Sequence, residues 1–442
     1  MNRPSPKFLW QKTKNTFWHL PKNIFLSLFY RFPAKKLTLI GVTGTDGKTT
    51  TATLIFHTLT QAGIKAGLIS TIEAKIGHHS QTTGLHTTSP DPAELQKLLR
   101  QMVAQHVTHA VCEVTSHALD QHRFWGCRFQ VSLITNTSHE HLDYHQNMDN
   151  YIKAKAKLFQ QSNLAILNKD DPSYRTIKPL VSTPIVTYSI KKPSQFQAKK
   201  IKLDNKNLQF NVGKIIFNTD SNYHYQIYNI LATLATITKL NIHQKHLIKI
   251  IKKFPEMKGR REKIDNQLNF KTIIDFAHTP AALQKTLSTL KKTTKNQLIV
   301  IFGATGGRDP DKRPQMGRVV SQHAHIALIT ADDTRNESVE DINRQIIKGI
   351  DNNKCKLLKT PIKINKKQIN QIRQISQKKF VYLNIPQRQD AFNLAIKLAQ
   401  KGDTVIACGK GHETTILHGE TDYPWSEAEA FRTAFRQKRE PL

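Results

Sequence analysis

The sequence predicts an α/β fold made of two domains, each built around a mostly parallel sheet. Three observations predict it: short apolar β-type runs alternate with helical stretches, a glycine-rich loop joins the first run to the first helix, and the alternation restarts near residue 257. Alternation of this kind is typical of parallel sheets in which helices connect successive strands.

The predicted elements divide the chain into a short segment, a central domain and a C-terminal domain. The strands predicted in the central domain are 37–40, 110–114, 131–135 and 164–167, with a helix near 227–240. After Gly259 the strands are 272–275, 298–302, 326–330, 380–383 and 404–407. We therefore predict a segment at 1–36, a central P-loop domain at 37–257 and a Rossmann-like α/β domain at 258–442.

The composition excludes several classes of protein. The 66 Lys and Arg residues outnumber the 33 Asp and Glu residues and give a net charge of +33, but they are spread along the chain, which does not favour a nucleic-acid partner. The four cysteines stand far apart without a C-x-x-C pair, which indicates neither a zinc site nor disulfides. No apolar run is long enough to span a membrane. We expect a monomeric, cytoplasmic protein.

The glycine-rich loop at 41–51 predicts a nucleoside triphosphate as ligand. Glycines allow backbone N–H groups to approach phosphate oxygens, Lys48 reaches the terminal phosphates and Thr49 holds Mg²⁺ at the start of a helix predicted at 52–62. The spacing departs from the general pattern, because Val42 occupies the expected first glycine position. The alternative is an ordinary glycine turn before a helix.

Two polar segments follow predicted strands. Glu113 closes one strand, and ligand sites in α/β proteins gather at the carboxyl ends of strands, so its carboxylate is a candidate Mg²⁺ ligand. Residues 136–145 contain three histidines together with Glu140 and Asp143. Each histidine alone is more typical of a polar loop than of a ligand, and the clustering favours a site.

The segment at 1–36 is basic and aromatic. Its residues Ile24, Phe25, Leu28 and Phe29 have helical spacing. A stripe of this kind most often packs on its own protein, and we expect that here. Binding to a membrane surface is the alternative.

The chain resembles the Mur ligase family of ATP-dependent amide-bond-forming enzymes, and within it the UDP-N-acetylmuramoyl-dipeptide ligases that add the third residue of the peptidoglycan stem peptide. The resemblance runs from about residue 37 to the C-terminus. It is carried by the motifs Gly-Thr-Asp-Gly-Lys-Thr-Thr (44–50), Glu-Val-Thr-Ser-His-Ala-Leu (113–119), His-Leu-Asp-Tyr-His (141–145), Ala-Lys-Ala-Lys-Leu-Phe (154–159), Asn-Lys-Asp-Asp (168–171), Asp-Phe-Ala-His-Thr-Pro (275–280), Asp-Lys-Arg-Pro (311–314) and Gly-Lys-Gly-His-Glu (409–413).

The resemblance implies two cofactors, ATP and Mg²⁺, and a set of residues for them. It places Lys48, His141 and Lys155 in catalysis, with Lys155 matching the lysine that the family carbamylates; taken alone, Lys155 is an ordinary solvated helix lysine. The implied metal ligands are Thr49, Glu113, His141 and Lys155. The implied ATP-binding residues are Gly44, Thr45, Gly47, Lys48, Thr49, Thr50, Asn229, Arg260 and Asp275.

The resemblance also implies the small-molecule substrates. Thr88, Ser89, Ser116, Gln121 and Arg123 match positions that face the muramoyl peptide, and Asp332, Arg335, Gly409 and Glu413 match positions that hold the incoming amino acid. Arg335 in Asp-Asp-Thr-Arg (332–335) would pair with a carboxylate of meso-diaminopimelate, which we favour over lysine. Ser89, Gln226 and Asp46 depart from the residues common in the family.

The implied reaction proceeds through an acyl-phosphate that the incoming amine attacks. Members of the subfamily usually carry a UDP-binding domain before the P-loop, whereas only about forty residues precede it in this sequence. Two alternatives therefore stay open. One is a related ligase with another acyl substrate, for example of the folate-type polyglutamate class, and the other is an inactive nucleotide-binding scaffold at a membrane.

Overall fold

The computed structural model describes residues 6–77, 79–81, 89–204, 207–220, 223–351, 355–357 and 365–439. The chain separates into two units, Met1–Pro255 and Glu256–Leu442. Each has its own hydrophobic cores. Within the described residues, no helix combines the length and the apolar character that a membrane span requires.

The first unit begins with a helical segment that lies on the outside of the sheet domain. It consists of α1 (Pro6–Lys14), a π-helical turn (Asn15–His19), α2 (Leu20–Phe29) and a 3₁₀ turn (Pro33–Lys36). Phe25, Leu28 and Phe29 are mostly exposed, so the expectation that this stripe packs on its own protein is wrong for these three side chains. The buried residues of the π-helical turn and of α2 are polar instead.

An eleven-stranded sheet forms the centre of the first unit in the part of the chain that is described. Its strands are β1 (Thr38–Thr43), β2 (Ala66–Ile69), β3 (Ala74–Ile76), β4 (His79–Gln81), β5 (His109–Glu113), β6 (Phe129–Ile134), β7 (Ala165–Asn168), β8 (Ile185–Ser189), β9 (Phe196–Leu203), β10 (Leu208–Val212) and β11 (Ile215–Thr219). The strand order is β11-β10-β9-β8-β7-β6-β1-β5-β2-β3-β4. Strands β9 to β2 in this order are parallel, and the outer strands at both edges are antiparallel.

Helices cover this sheet, and several begin at residues suited to a helix N-terminus. They are α3 (Lys48–Gln61), α4 (Pro92–Ala104), α5 (Ser116–Asp120), α6 (Leu142–His145), α7 (Met148–Gln160), α8 (Tyr174–Ile177), α9 (Gln226–Lys239) and α10 (Lys245–Lys252), with a 3₁₀ turn at Lys178–Leu180. Asp91, Thr115 and Asn147 accept hydrogen bonds from backbone N–H groups in the first turns of α4, α5 and α7.

The second unit is built on a seven-stranded sheet and a separate hairpin. The strands are β12 (Arg260–Lys263), β13 (Lys271–Asp275), β14 (Leu298–Phe302), β15 (Ile326–Ile329), β16 (Cys355–Leu357), β17 (Phe380–Asn384), β18 (Thr404–Cys408), β19 (Thr415–His418) and β20 (Thr421–Pro424). The order of the large sheet is β12-β13-β18-β14-β15-β17-β16, with only β12 antiparallel among the described strands. The helices are α11 (Pro280–Thr293), α12 (Lys312–His323), α13 (Val339–Ile347), α14 (Lys366–Ser376), α15 (Arg388–Leu398) and α16 (Glu427–Arg439).

The α/β fold class predicted from the sequence is confirmed. Strands β14 and β18 are buried along their whole length, as expected for parallel strands covered on both faces. The helix after the glycine-rich loop, α3, begins at Lys48 and not at the predicted Ala52, because the three threonines that follow Lys48 are buried and continue the helix. The antiparallel edge strands were not predicted.

Candidate active site

The loop between β1 and α3 has the conformation of a phosphate-binding loop. Gly44 and Gly47 have φ angles of +141° and +83°, a region that side chains rarely adopt. A Cβ atom on Gly44 would lie 1.9 Å from Thr135 Oγ1, and one on Gly47 would lie 2.6 Å from Asn229 Oδ1. Val42 is buried within β1. The loop therefore needs glycine at 44 and 47, which accounts for the departure from the usual spacing.

Two lysines from different helices meet at this loop. Lys48 Nζ donates to the carbonyl oxygens of Gly44 (3.1 Å) and Thr45 (2.8 Å), and Lys155 Nζ donates to the same Gly44 oxygen at 2.8 Å. Lys155 is buried. Burial, with a smaller contribution from Lys48, lowers the pKa of Lys155 well below its ordinary value. The side chain of Lys155 is thus not the solvated helix lysine of the alternative interpretation.

Tyr151 connects Lys155 to the loop and to His141. The Lys155 Nζ lies 4.4 Å from the centroid of the Tyr151 ring, and the Tyr151 hydroxyl is 3.0 Å from Thr45 Oγ1. The ring centroids of His141 and Tyr151 are 6.3 Å apart. The sequence analysis missed Tyr151, although its position four residues before Lys155 places both on one face of α7.

Oxygen atoms gather where β5 ends beside the start of α3. Thr49 Oγ1 donates to Glu113 Oε2 at 3.2 Å, and Thr71 donates to the same carboxylate through its hydroxyl (2.8 Å) and its backbone N–H (3.2 Å). Glu113 is fully buried. The structure thus brings together the predicted metal ligands Thr49 and Glu113, and Thr71 is a further member that the sequence did not indicate.

The histidine segment folds over the same edge of the sheet. His141 has a φ angle of +57°, a left-handed conformation that is uncommon for histidine. Its ring lies 4.6 Å from that of His117, centroid to centroid, and its Nε2 lies 3.7 Å from Glu140 Oε2. His145 Nε2 is 3.0 Å from Ser116 Oγ, and burial, together with His117, lowers the pKa of His145 to about 3. His145 is therefore neutral at physiological pH.

Three of the residues predicted to face the acyl substrate, Ser89, Gln121 and Arg123, belong to one hydrogen-bonded group. Arg123 Nη1 donates to the Ser89 carbonyl at 2.9 Å, and Arg123 Nη2 donates to Gln121 Oε1 at 2.8 Å. Ser89 Oγ is 3.2 Å from Thr115 Oγ1 and accepts the Thr115 N–H at 3.1 Å. Thr88 lies outside the described residues.

Asp120 links the N-terminal segment to this group. Its buried carboxylate accepts from Lys12 (2.6 Å), Lys157 (2.7 Å) and Asn15 (2.7 Å), and Tyr144 donates to it at 3.2 Å. Burial would raise the pKa of Asp120, but the hydrogen bonds and charges of Lys12 and Lys157 lower it to about 2. Asp120 could not be predicted from the sequence, because its partners Lys12, Asn15 and Lys157 are distant in the chain.

In the second unit, Asp275 organises the backbone at the end of β13. Its carboxylate accepts from the N–H groups of Arg261 and Ala277, each at 3.0 Å. Arg260 pairs with Asp275 in the strand register, and its guanidinium carbon lies 4.4 Å from the centroid of the Phe276 ring. Asn229, the other side chain predicted to hold the nucleotide, belongs to the first unit, where it accepts from Thr51 Oγ1 at 3.3 Å.

Three carboxylates surround one buried lysine elsewhere in the second unit. The oxygens of Asp332, Asp333 and Glu413 lie within 4.8 Å of one another, and Lys410 Nζ is 2.7 Å from Asp333 Oδ1 and 2.5 Å from Glu413 Oε2. Although burial opposes its charge, the carboxylates of Asp332, Glu413 and Asp333 raise the pKa of Lys410. Gly409 has a φ of +112°, and a Cβ there would lie 2.6 Å from Asp332 Oδ2.

Arg335 and Arg388 flank this cluster differently. Arg335 has a φ of +51° and forms an isolated parallel bridge with His418 of β19, and its buried Nε has no hydrogen-bond partner among the described residues. Arg388 is fully engaged: it donates to Glu427 Oε1 (2.5 Å) and to the carbonyl oxygens of Ala331 (2.8 Å) and Cys408 (3.1 Å). The predicted residues Asp332, Gly409 and Glu413 are thus brought together, and Lys410 and Arg388 are additions from the structure.

Two family models match the chain. The model of the Mur ligase middle domain matches residues 42–237, and the model of the Mur ligase, glutamate ligase domain matches residues 259–411. The first match contains the glycine-rich loop and Lys155, and the second contains Asp275, Asp332 and Arg335.

Curated relatives and a solved structure are similar over most of the chain. A UDP-N-acetylmuramoyl-L-alanyl-D-glutamate–2,6-diaminopimelate ligase of Geobacillus kaustophilus is 33% identical over 428 residues, which cover 94% of this chain and 82% of that protein. The ligase of the same name from Clostridium perfringens is 36% identical over 409 residues, or 90% and 78%. A solved structure of a ligase of this name has a TM-score of 0.59 at 26% identity and covers 92% of this chain and 79% of its own.

Proposed function

The chain belongs to the Mur ligase family, and from this premise we propose that it adds meso-diaminopimelate to UDP-N-acetylmuramoyl-L-alanyl-D-glutamate, with ATP converted to ADP, in peptidoglycan precursor synthesis. Its relatives at 33% and 36% identity carry the name of this ligase. The observation that carries the proposal is the meeting of Lys48 and Lys155 at the Gly44 carbonyl of the phosphate-binding loop.

We assign nucleotide binding to the central domain at 37–257. Backbone N–H groups of the loop and the first turn of α3 would hold the phosphates, through Gly44, Thr45, Gly47, Lys48, Thr49 and Thr50. Lys48 already lies over the loop and needs only to exchange its carbonyl partners for phosphate oxygens. Asn229 is assigned to the rest of the nucleotide, and the nucleotide role that the family resemblance implies for Arg260 and Asp275 of the second unit stays a prediction.

The residues at the end of β5 fit Mg²⁺. Thr49 Oγ1 and the Glu113 carboxylate are hard oxygen donors, the type that this ion prefers, and a carboxylate that accepts hydrogen bonds retains further lone pairs. Thr49, Glu113, His141 and a modified Lys155 are the proposed ligands. When bound, Mg²⁺ supplies positive charge to the phosphoryl group in transfer. Thr71 holds the Glu113 carboxylate in place from the other side.

Burial suits Lys155 for carbamylation. A neutral amine attacks CO₂, forms an N–C bond and releases one proton, which leaves a carbamate anion on the side chain. The carbamate replaces a buried amine beside Lys48 by an anion, so it would be paired with a cation inside the protein. Tyr151 borders the space that the carbamate would occupy.

Amino-acid binding is assigned to the C-terminal domain at 258–442. Diaminopimelate carries both a carboxylate and an ammonium group at its far end, whereas lysine carries only the ammonium. Arg335 offers a guanidinium with an unpaired buried Nε for the carboxylate, and Asp332 and Glu413 offer carboxylates for the ammonium, next to the Gly409 backbone. This combination of charges favours diaminopimelate.

The proposed reaction has two steps. A carboxylate of the acyl substrate, bound by Thr88, Ser89, Ser116, Gln121 and Arg123, attacks the γ-phosphorus of ATP and releases ADP. The amine of diaminopimelate then attacks the acyl carbon, loses a proton and expels inorganic phosphate. Lys48 stabilises the charge on the transferring phosphoryl group. The substrates are small molecules. We also propose that the protein acts as a monomer in the cytoplasm.

ADP release tests this function. Purified protein with ATP, Mg²⁺ and bicarbonate should release ADP in step with product only when UDP-N-acetylmuramoyl-L-alanyl-D-glutamate and diaminopimelate are both present. If product forms from a folate polyglutamate acceptor and none forms from the UDP substrate, the acyl substrate is of the folate class and the proposed one is wrong. ATP binding without any turnover on either substrate would identify a scaffold and overturn the enzymatic proposal.

A further inference from the structure

The N-terminal helical segment turns a polar face toward its own protein. Asn15, Asn23 and Ser27 are its buried side chains among those described within α1, the π-helical turn and α2. Asn15 Nδ2 donates to Asp120 Oδ2 at 2.7 Å, Asn23 Nδ2 donates to the Gln121 carbonyl at 2.8 Å, and Ser27 Oγ donates to the Trp125 carbonyl at 3.1 Å. The segment is therefore attached by directed hydrogen bonds.

The opposite face of the same segment carries large apolar side chains. Seven of them are between 53% and 77% exposed: Leu9, Trp10, Phe17, Trp18, Phe25, Leu28 and Phe29. Only four further large hydrophobic side chains are exposed among the described residues of the rest of the chain: Leu180, Leu203, Ile216 and Tyr423. Water-soluble amphipathic helices bury their apolar face, so this arrangement is inverted and indicates an apolar partner outside the protein.

The π-helical turn keeps the two faces aligned. A π-helical turn contains more residues than an α-helical turn, so it rotates the helix that follows relative to the helix before it. Asn15 and Asn23 are eight residues apart, which an unbroken α-helix would separate by about 80° around its axis, and both are buried. The π-helical turn at Asn15–His19 reduces this separation, so Asn15 and Asn23 lie closer to one line along the segment.

The charge of the segment selects the partner. Residues 1–36 contain eight Lys and Arg residues, and the first acidic residue of the sequence is Asp46. A second copy of this chain seated on the same face would bring two basic, acid-free segments together, which like-charge repulsion opposes. An anionic bilayer surface offers an apolar boundary region for the aromatic side chains and negative charge for the lysines.

We propose that residues 6–29 lie flat on an anionic lipid bilayer. Phe17, Phe25 and Phe29 enter the boundary between headgroups and acyl chains, Trp10 and Trp18 lie at headgroup level, and the flanking lysines and arginines contact lipid phosphates. The polar face remains bonded to Asp120 and Gln121, so the bilayer holds the folded enzyme rather than a detached peptide. This inference is independent of the proposed ligase activity.

Vesicle co-sedimentation with the full chain tests the inference. The vesicles are phosphatidylcholine alone or phosphatidylcholine with phosphatidylglycerol, and the variants are Phe17→Ser with Phe25→Ser and, as a matched control, Leu203→Ser with Ile216→Ser. The control pair is 46% and 52% exposed, with Leu203 on β9 and Ile216 on the edge strand β11. Circular dichroism of each variant establishes that it is folded.

The expected result is binding to the anionic vesicles, at least about tenfold weaker in the Phe17/Phe25 variant because two aromatic side chains no longer enter the bilayer, and unchanged in the control. Raising the salt from about 0.1 M to 1 M should also weaken it. Equal sedimentation of both variants would overturn the inference. So would a folded wild-type chain that stays in the supernatant, or a dimer in solution that the Phe17/Phe25 substitutions dissociate.

Discussion

The two candidate sites differ in how their buried charges are compensated. At the phosphate-binding loop, Lys48 and Lys155 donate to backbone carbonyl oxygens. At the C-terminal cluster, Lys410 is paired with Asp333 and Glu413, and Arg388 with Glu427. A site whose lysines donate to carbonyl oxygens rather than to carboxylates can exchange these partners for an anionic ligand such as a triphosphate. A site that contains both carboxylates and cations suits a zwitterion such as an amino acid, and this difference supports the substrate proposed for each unit.

The comparison predicts that removing a lysine from the first site reduces activity without reducing stability. Lys155→Ala should lower kcat by about 10³-fold, because the proposed Mg²⁺ site would lose its carbamate ligand. The melting temperature should not fall, because the variant also removes a buried amine whose charged form is disfavoured by desolvation. Ligation rate and thermal unfolding measure the two effects.

Lys153→Ala is the matched control for this prediction. Lys153 lies two residues from Lys155 on the same helix but is exposed and paired with Asp149 at 2.6 Å. Its substitution should leave the ligation rate within about twofold. Full activity of Lys155→Ala would remove Lys155 from the mechanism.

Removing one partner of a compensated pair should have the reverse effect. Arg388→Met leaves the buried Glu427 carboxylate without its cation and should lower the free energy of unfolding of the C-terminal unit by about 3–5 kcal/mol. The double variant Arg388→Met/Glu427→Met should recover much of this loss. Urea denaturation of both variants measures it. If the double variant is no more stable than the single one, the charge pair is not the reason for the loss.

Substitution of Arg335 should act on one substrate alone. Arg335→Ala removes the group proposed to bind the far carboxylate of diaminopimelate, so the KM for diaminopimelate should rise about 10- to 100-fold while the KM for ATP stays constant. Arg344→Ala, an exposed arginine paired with Asp341, is the control. Equal increases in KM for diaminopimelate and for lysine would place Arg335 outside the recognition of that carboxylate.

The smallest effect is expected where the N-terminal segment meets the first site. Asp120 has a pKa lowered to about 2, so its stabilising contacts are present above its ordinary pKa of 3.8 and are lost as the pH falls toward 2.

Asp120→Asn removes the charge at neutral pH and should raise the KM for the acyl substrate about tenfold, since Gln121 and Arg123 follow it directly. Lys12→Ala, at the exposed edge, should change this KM by about twofold at most. Asp149→Asn is the control, and an unchanged KM in Asp120→Asn would show that the contact does not position the site.

The sequence predicted the first site better than the second for a physical reason. Gly44, Gly47, Lys48 and Thr49 lie in one continuous segment whose backbone conformation forms the site, so local sequence is enough. The second cluster joins β18, the segment after β15 and the start of α15, and the pairing of Arg388 with Glu427 depends on tertiary packing. Tyr151 could have been predicted as a site residue from its helical spacing to Lys155, whereas Asp120 could not.

The N-terminal segment shows a different limit of sequence reasoning. Its helical spacing of apolar residues was visible, but spacing does not tell which face of a helix meets the protein. The polar side chains of Asn15, Asn23 and Ser27 face the protein, and the apolar stripe, which was expected to do so, does not. Their hydrogen-bond partners lie about a hundred positions away in the chain, so sequence spacing did not show this orientation.

Mass spectrometry of the product tests the central claim most directly. The protein is incubated with ATP, Mg²⁺, bicarbonate, UDP-N-acetylmuramoyl-L-alanyl-D-glutamate and an equal mixture of meso-diaminopimelate and lysine. The account predicts a product that contains diaminopimelate, with little lysine incorporated. A product that contains mainly lysine would contradict the assignment of the C-terminal charges, and the absence of any product from a folded, ATP-binding protein would contradict the ligase itself.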